Sequence, residues 1–269
     1  MNFKYIECVT ENTLINNFYE LNVDSTSIPL HSKVIPTAQC HIIYLKSEVP
    51  IETIFKNNKF NNSGLIVLGQ SYKSYKLHAK APYYNLGINL HPTGLYKLLK
   101  SDISKFTDKH VKLSEINLEL FNLLSPLFEE QIDDCNHLAK KIEKQLLSLD
   151  LFENNNTRLV DEAIKLIYQK EGKINVEELL KQIPISQKHL ELQFKKIVGL
   201  TPLKFIKLYK FLNLMKKYES KQASISQLIE YYSYYDLSHF SKDFNLFMNQ
   251  KPTDYFKSDN EFLNNYLKE

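Results

Sequence analysis

Residues 186–205, SQKHLELQFKKIVGLTPLKF, and residues 236–255, DLSHFSKDFNLFMNQKPTDY, are two copies of one pattern. His189, Leu190, Phe194, Gly199, Pro202 and Phe205 in the first stretch answer to His239, Phe240, Phe244, Asn249, Pro252 and Tyr255 in the second. Each pair lies fifty residues apart. Ser186 and Asp236, both good helix N-caps, keep the same offset. Six matched positions with matched chemistry point to a duplicated supersecondary unit. Each copy reads as a capped helix with an inward aromatic, a C-terminus at Gly or at left-handed-tolerant Asn, and a new helix begun by Pro. The segments Val176–Ile183 and Ile225–Tyr232 precede the copies and supply the first helix of each pair. The spacing therefore predicts two helix-turn-helix units joined by a long helix over Pro202–Tyr218.

Outward from that core, the C-terminal part reads as helical throughout. Thr157 is positioned to cap a helix carrying Leu159, Val160, Ile164 and Ile167, which Gly172 ends. Asn175 starts another, with Glu177 and Glu178 suited to the positive end of the helix dipole. Glu153-Asn154-Asn155-Asn156 reads as a linker. The chain then divides into a β-rich domain, 1–153, and a helical domain, 157–269.

The N-terminal part shows short β-branched or aromatic runs: Cys40–Lys46, Gly64–Gly69, Tyr72–Ala79 and Tyr83–Leu90. His91-Pro92-Thr93-Gly94 breaks the last, and Leu95, Leu98 and Leu99 suggest a short helix. Ser114 begins a helical stretch interrupted at Pro126, and apolar residues from Leu127 through Ile132 to Leu149 recur at helical spacing. The fold class expected is α+β, a β-rich half followed by an all-α half.

Composition fits a two-domain globular chain: 269 residues, 43% hydrophobic and 24% charged. No apolar run reaches the roughly 18 residues that span a bilayer, and the N-terminus lacks the order of a signal peptide; a cytoplasmic location and no membrane partner are expected. Cys8, Cys40 and Cys135 are scattered and read as reduced thiols, with no metal pattern. The net charge is +3, but its distribution is uneven. Lys188, Lys195, Lys196, Lys204, Lys207, Lys210, Lys216 and Lys217 face Glu191 alone within their window, a plausible phosphate-binding surface. Arg158 is the single arginine, so guanine readout would fall to Lys or His, and an A·T-leaning site is expected.

These motifs resemble the AraC/XylS family: Ser186-x-x-His-Leu-x-x-x-Phe-Lys195 followed by Gly-x-x-Pro, and Asp236-x-Ser-His-Phe-Ser-Lys-x-Phe244 followed by Pro and Tyr. The resemblance covers roughly Thr157–Phe256. It implies double-stranded DNA as partner and base contacts from the first part of each recognition helix. Carried over by motif position, these are Lys188, His189, Glu191 and Leu192, and Leu237, Ser238, His239 and Lys242. Lys195, Lys196, Lys204 and Lys207 suit phosphate contacts, which position without specifying. The pattern departs from the family at Pro184 and Ser233, where each turn usually has Gly, and at Leu180 and Ile229, where a small residue is usual. Pro184 fixes φ near −65° and forces another turn geometry.

The N-terminal half resembles, less specifically, the family's cupin-like sensor domain, which implies a small effector or a second copy of the chain as partner and leaves room for RNA polymerase. The alternative is a degenerate relative serving as a protein-interaction module. His31, His41, His78, His91 and His110 show no metal spacing. His41 shares a strand face with Ile43 and Leu45 and reads as a satisfied core residue. Tyr72, Tyr75, Tyr83 and Tyr84 read as a sheet face. No nucleophile, phosphate loop or paired-carboxylate motif appears, so no enzyme activity and no cofactor are expected.

Overall fold

The computed structural model describes residues 1–129 and 134–257. Ten strands come first: β1 (Asn2–Glu7), β2 (Ile15–Val23), β3 (Leu30–Val34), β4 (His41–Ser47), β5 (Ile51–Phe55), β6 (Asn58–Asn62), β7 (Gly64–Leu68), β8 (Tyr75–Ala79), β9 (Tyr83–Leu90) and β10 (His110–Lys112). They form an antiparallel six-stranded sheet, β1-β2-β9-β4-β7-β10, facing a four-stranded sheet, β3-β8-β5-β6. The four sequence-predicted runs are β4, β7, β8 and β9, so the β-rich half holds. The other strands escaped the reading because Asn and Lys dilute them: β1 and β6 are mostly exposed edge strands.

Alternation sorts each strand between two cores. On β2, Phe18 faces the helices while Tyr19 and Leu21 face the opposing sheet. On β4, Ile42 joins the helical core, and Ile43 and Leu45 turn to the space between the sheets. His41 lies on that second face, as expected. Its Nδ1 meets Asn89 Oδ1 at 2.7 Å and its Nε2 meets Thr37 Oγ1 at 2.8 Å. Burial holds the ring neutral, its pKa down at about 4.

Eleven helices are described: α1 (Gly94–Leu99), α2 (Leu113–Ile116), α3 (Leu118–Glu129), α4 (Cys135–Leu147), α5 (Asn155–Gln169), α6 (Val176–Leu180), α7 (Gln187–Val198), α8 (Pro202–Glu219), α9 (Ile225–Tyr231), α10 (Leu237–Met248) and α11 (Pro252–Tyr255). Four expectations change here. Pro126 does not interrupt its helix; it sits within α3, one turn from the end. The missing N–H frees the carbonyl of Asn122, which is exposed to water. The stretch Leu127–Leu149 is not one helix: Leu127 and Phe128 end α3, Leu138, Ile142 and Leu146 belong to α4, and Ile132 lies outside the described residues.

The polar run 153–156 is not a free linker. Asn154 caps α5, and Asn155 and Asn156 are its first residues. Thr157 is not the cap but the third helical residue of a capping box: its Oγ1 accepts from Asn154 N–H at 2.8 Å, and its N–H donates to Asn154 Oδ1 at 3.0 Å.

α8 is the spine of the helical part. Its first half packs on α7 through Phe205 and Phe194, rings 5.5 Å apart. Its second half packs on α10, with Phe211 at 5.7 Å from Phe244 and 4.9 Å from Phe247. A buried cluster runs from Phe18 of the sheet through Ile142 of α4 and Ile164 of α5 to Phe244. No described helix is long and apolar enough to cross a membrane.

Candidate nucleic-acid interface

The duplicated pattern folds as two superposable units in sequence. α7 and α10 span twelve residues each, fifty apart. Ser186 accepts from His189 N–H, and Asp236 accepts from His239 N–H at 2.7 Å. Both helices end in the left-handed region, at Gly199 (φ 93°) and Asn249 (φ 54°). Pro202 and Pro252 then open α8 and α11.

The two turns that depart from the family solve the same problem differently. Ser233 holds φ +52°, the left-handed conformation that glycine adopts more cheaply. Ser233 N–H donates to Glu230 O at 2.9 Å and Tyr234 N–H to Ile229 O at 3.0 Å, closing α9. Pro184 cannot follow. The first turn instead tightens around it, with Ile185 N–H donating to Ile183 O at 2.8 Å. Leu180 and Ile229 are half-buried against the edge of the core.

Lys188, His189, Glu191 and Leu192 are all exposed on the first half of α7, and Leu237, Ser238, His239 and Lys242 on the first half of α10. Leu192 is 61% exposed and Leu237 63%, while Phe194 and Phe244 are fully buried. His189 Nε2 sits 2.9 Å from Asn156 Oδ1 on α5. His239 packs edge-on to Tyr234, centroids 5.3 Å apart. Glu191 accepts from Gln187 Nε2 at 2.9 Å.

Lys196 and Lys207 are exposed. Lys195 and Lys204 line a cleft shared with Lys56, Lys73 and Asp108 of the N-terminal half, and Lys204 Nζ lies 5.3 Å from the Tyr72 ring. The lysine excess is thinner in space than in sequence. Lys217 pairs with Glu171 at 2.9 Å, and Lys210 lies over the Tyr234 ring at 4.1 Å with burial pulling its pKa down.

Two features escaped the sequence reading. Tyr235, 92% exposed, stands immediately before the second cap; its place between a turn and a cap was the available signal. The other is a set of contacts from the N-terminal half to the ends of both reading helices. Thr107 Oγ1 donates to Gly199 O at 2.9 Å. Ser74 N–H donates to Phe247 O at 2.7 Å, with Tyr72 edge-on to Phe247 at 5.2 Å. Gln70, fully buried, packs under Gly199. A Cβ on Gly199 would lie 3.1 Å from Thr107 Oγ1. No local sequence pattern announces such long-range pairs.

Among the described residues no cluster of His, Cys, Asp or Glu fits a metal ion.

Comparison with known proteins adds the following. A family model described as a helix-turn-helix domain matches residues 179–258, and a domain of unknown function, DUF6597, matches residues 12–112. The probable transcriptional regulator LumQ of Photobacterium leiognathi is 28% identical over 165 residues, 58% of this chain. That match spans 65% of the length of LumQ. Among solved structures, ToxT from Vibrio cholerae is similar at 14% identity and a TM-score of 0.47, covering 89% of this chain and 98% of that one. The AraC-like transcriptional activator CuxR is similar at 13% identity and a TM-score of 0.26, over 76% and 75% of the two chains. The paired units and the family model falling on them agree: residues 179–258 of this chain are a helix-turn-helix domain.

Proposed function

We propose that this chain is a DNA-binding transcription regulator that lays the N-terminal turns of α7 and α10 in consecutive major grooves of one duplex face. The observation that carries the reading is the matched exposure of the eight base-contact candidates at two helix starts that share one spine. α8 has 18 residues, hence roughly 27 Å at 1.5 Å per residue. That is commensurate with recognition elements spaced by one turn of DNA, about 34 Å. Lys188 and Lys242 are the leading base readers, and His239 reads beside Lys242. Lys196 and Lys207 meet phosphates, with Lys195 and Lys204 on the side facing the N-terminal half. Residues 1–153 act as the sensing or dimerising half and 157–269 as the DNA-reading half. The contacts of Ser74, Tyr72 and Thr107 with the ends of α7 and α10 give the first half a hold on the second. An effector or a second copy acting there would change the placement of the two units, and RNA polymerase is the partner such a regulator would engage.

Fluorescence anisotropy with labelled duplexes tests this. Binding that loses about 10³-fold or more between 50 and 200 mM salt is expected for several phosphate contacts, with A·T-rich duplexes preferred because neither recognition helix carries Arg. The exposed apolar residues Leu192, Leu237 and Tyr235 favour a second reading, a protein-interaction module. Salt-insensitive or absent DNA binding by the folded protein would select it.

A further inference from the structure

The turn between α5 and α6, residues 170–175, leads into the first helix of the first unit. Within it Glu171 holds φ +51° and Gly172 φ +74°. A Cβ on Gly172 would lie 2.6 Å from the backbone nitrogen of Lys210, so the turn is pressed against the middle of α8. Tyr168, at the end of α5, stacks on Tyr209 with ring centroids 4.6 Å apart.

From that seat Glu171 reaches the second unit. Its carboxylate accepts from Lys217 Nζ, near the end of α8, at 2.9 and 3.0 Å. It also accepts from the hydroxyls of Tyr231 at 3.3 Å and Tyr232 at 3.1 Å, where α9 ends. Lys173 Nζ lies 3.6 Å from the centre of the Tyr231 ring, and Lys217 Nζ 4.8 Å from it. Partial burial opposes the charge on Glu171, but Lys217 and the two phenols hold its pKa below the ordinary value. One carboxylate thus joins the entry turn of the first unit, the far part of α8 and the first helix of the second unit.

The turn itself does not need a glutamate. The fifty-residue repeat extends back to it: Lys221 holds φ +56° at the matching position. Lys221 N–H donates to Tyr218 O as Glu171 N–H donates to Tyr168 O, each at 2.9 Å. Gln222 N–H and Gly172 N–H close the two turns on Lys217 O at 3.0 Å and Ile167 O at 2.9 Å. The same backbone therefore accepts a lysine, and Lys221 is exposed. The carboxylate stands in the copy that faces another unit. There it supplies what α8 alone does not. Long helices curve, and α7 and α10, pinned at their C-terminal ends, can still turn about those pins. An attachment from the entry turn to α9 removes that freedom. The precision matters on DNA, where one added base pair moves a half-site by about 3.4 Å and turns it by about 35°.

We propose that Glu171 is a positioning residue: through Lys217, Tyr231 and Tyr232 it fixes the placement of α10 relative to α7, and so the base-pair spacing that the two units read together. The junction stands on these contacts; its use in spacing rests on the DNA-reading function proposed above.

The test uses the full chain with nitroxides at Lys188 and Lys242, attached through an unnatural keto side chain so that Cys8, Cys40 and Cys135 stay as they are. Pulsed electron–electron spin resonance without DNA should give one narrow distance peak for the parent protein. Glu171→Lys puts into the turn the residue its copy already holds and sets it against Lys217; the peak should broaden or split. Lys217→Met keeps the stem, should broaden the peak less, and carries the test if Glu171→Lys does not fold. Lys221→Glu should leave the peak unchanged. Unlabelled protein is then titrated with a duplex that the parent chain selects from a randomised library, and with the same duplex carrying one base pair inserted between the two segments it protects. The parent should lose about tenfold or more on the insertion, and Glu171→Lys should bind the two duplexes nearly alike. A narrow, parent-like peak in both variants with a lowered Tm makes Glu171 a stabilising residue only and overturns the assignment. A broad peak in the parent, or an equal loss on insertion in parent and variant, overturns it too. Broadened variant peaks with no DNA binding by the parent uphold the junction and remove the DNA-reading function instead.

Discussion

The join between the β-rich and helical parts contains a buried ion cluster whose response to mutation is calculable. Lys97 on α1 has a side chain with 0% exposure. Its Nζ lies 2.9 Å from Asp161 Oδ2 on α5, 3.1 Å from Glu153 Oε1 and 3.0 Å from Thr13 Oγ1. Asp161 also accepts from Thr93 Oγ1 at 2.6 Å and lies 3.6 Å from His91 Nδ1. The two carboxylates reach water, with 22% and 42% of their side chains exposed, whereas the ammonium does not. Removing a carboxylate therefore strands more charge than removing the cation. Asp161→Ala leaves a fully buried ammonium on Glu153 and Thr13, and breaking a buried pair costs about 3–5 kcal/mol when nothing replaces it. With Glu153 remaining, about 2–4 kcal/mol is expected. Lys97→Met keeps the stem volume and leaves Asp161 its threonine and solvent, so about 1–2 kcal/mol is expected. The double variant should cost less than the two singles together, with a coupling of about 1–2 kcal/mol. Urea denaturation followed by circular dichroism, across the four proteins of the cycle, measures all three. If Lys97→Met costs as much as Asp161→Ala, or the singles add within about 0.5 kcal/mol, the asymmetric-burial argument fails.

Three further outcomes are expected. Ser233→Gly relieves a left-handed serine and should stabilise by roughly 0.5–1 kcal/mol, the steric cost of about 1–2 kcal/mol being offset in part by a more flexible unfolded chain; Ser233→Val, measured alongside by thermal melting, should destabilise. Lys207→Ala should weaken binding to all duplexes alike and lower the log-affinity against log-salt slope by about 1, whereas His239→Ala should relax sequence preference at unchanged slope; the reverse pattern reassigns the two residues. His41 and His91 are held down at about 4 and His110 at about 3, chiefly by burial. Each binds its proton in the unfolded chain before the folded one, so stability is full above about pH 6.5 and falls as pH drops from there toward 4, by up to about 1.4 kcal/mol per pH unit per ring. Urea midpoints between pH 7 and 5 check this, and His41→Asn should flatten the fall.

The helical half was legible because its signals are local. Caps at Ser186, Asp236 and Asn175, the left-handed ends Gly199 and Asn249, and the prolines at 202 and 252 each act within one turn, and repetition made them unmistakable. The β-half was legible where apolar or aromatic residues run together, β8 with its tyrosine included, and not where Asn and Glu break the run, as in β2, although that strand packs on both faces. β4, β7 and β9 read as apolar runs; β1 and β6, wet on one side, read as loops. Asn154–Asn156 misled for a related reason: asparagine suits both linkers and caps, and Thr157 at the third helical position decided between them. The exposed faces of α7 and α10 followed from periodicity. The space between the sheets did not, since its walls, Tyr19 and Ile43 on one side and Phe55 and Tyr75 on the other, come from strands of two sheets that only the fold sets face to face.

The contacts between halves bear on how any signal must act. α7 and α10 share the spine α8, but each is also held at its C-terminal end by the N-terminal half: α7 through Thr107 and Gln70 at Gly199, α10 through Ser74 and Tyr72 at Phe247. The reading ends of both helices are exposed while their C-terminal ends are anchored to one body. Gln70, Tyr72 and Ser74 belong to a single loop between β7 and β8, and β7 and β8 lie in opposite sheets. That loop therefore ties both sheets to both anchors. α8 meets the two helices at these same ends, opening at Pro202 just past Gly199 and packing Phe211 on Phe247, so the fixed ends of α7 and α10 are the C-terminal ones.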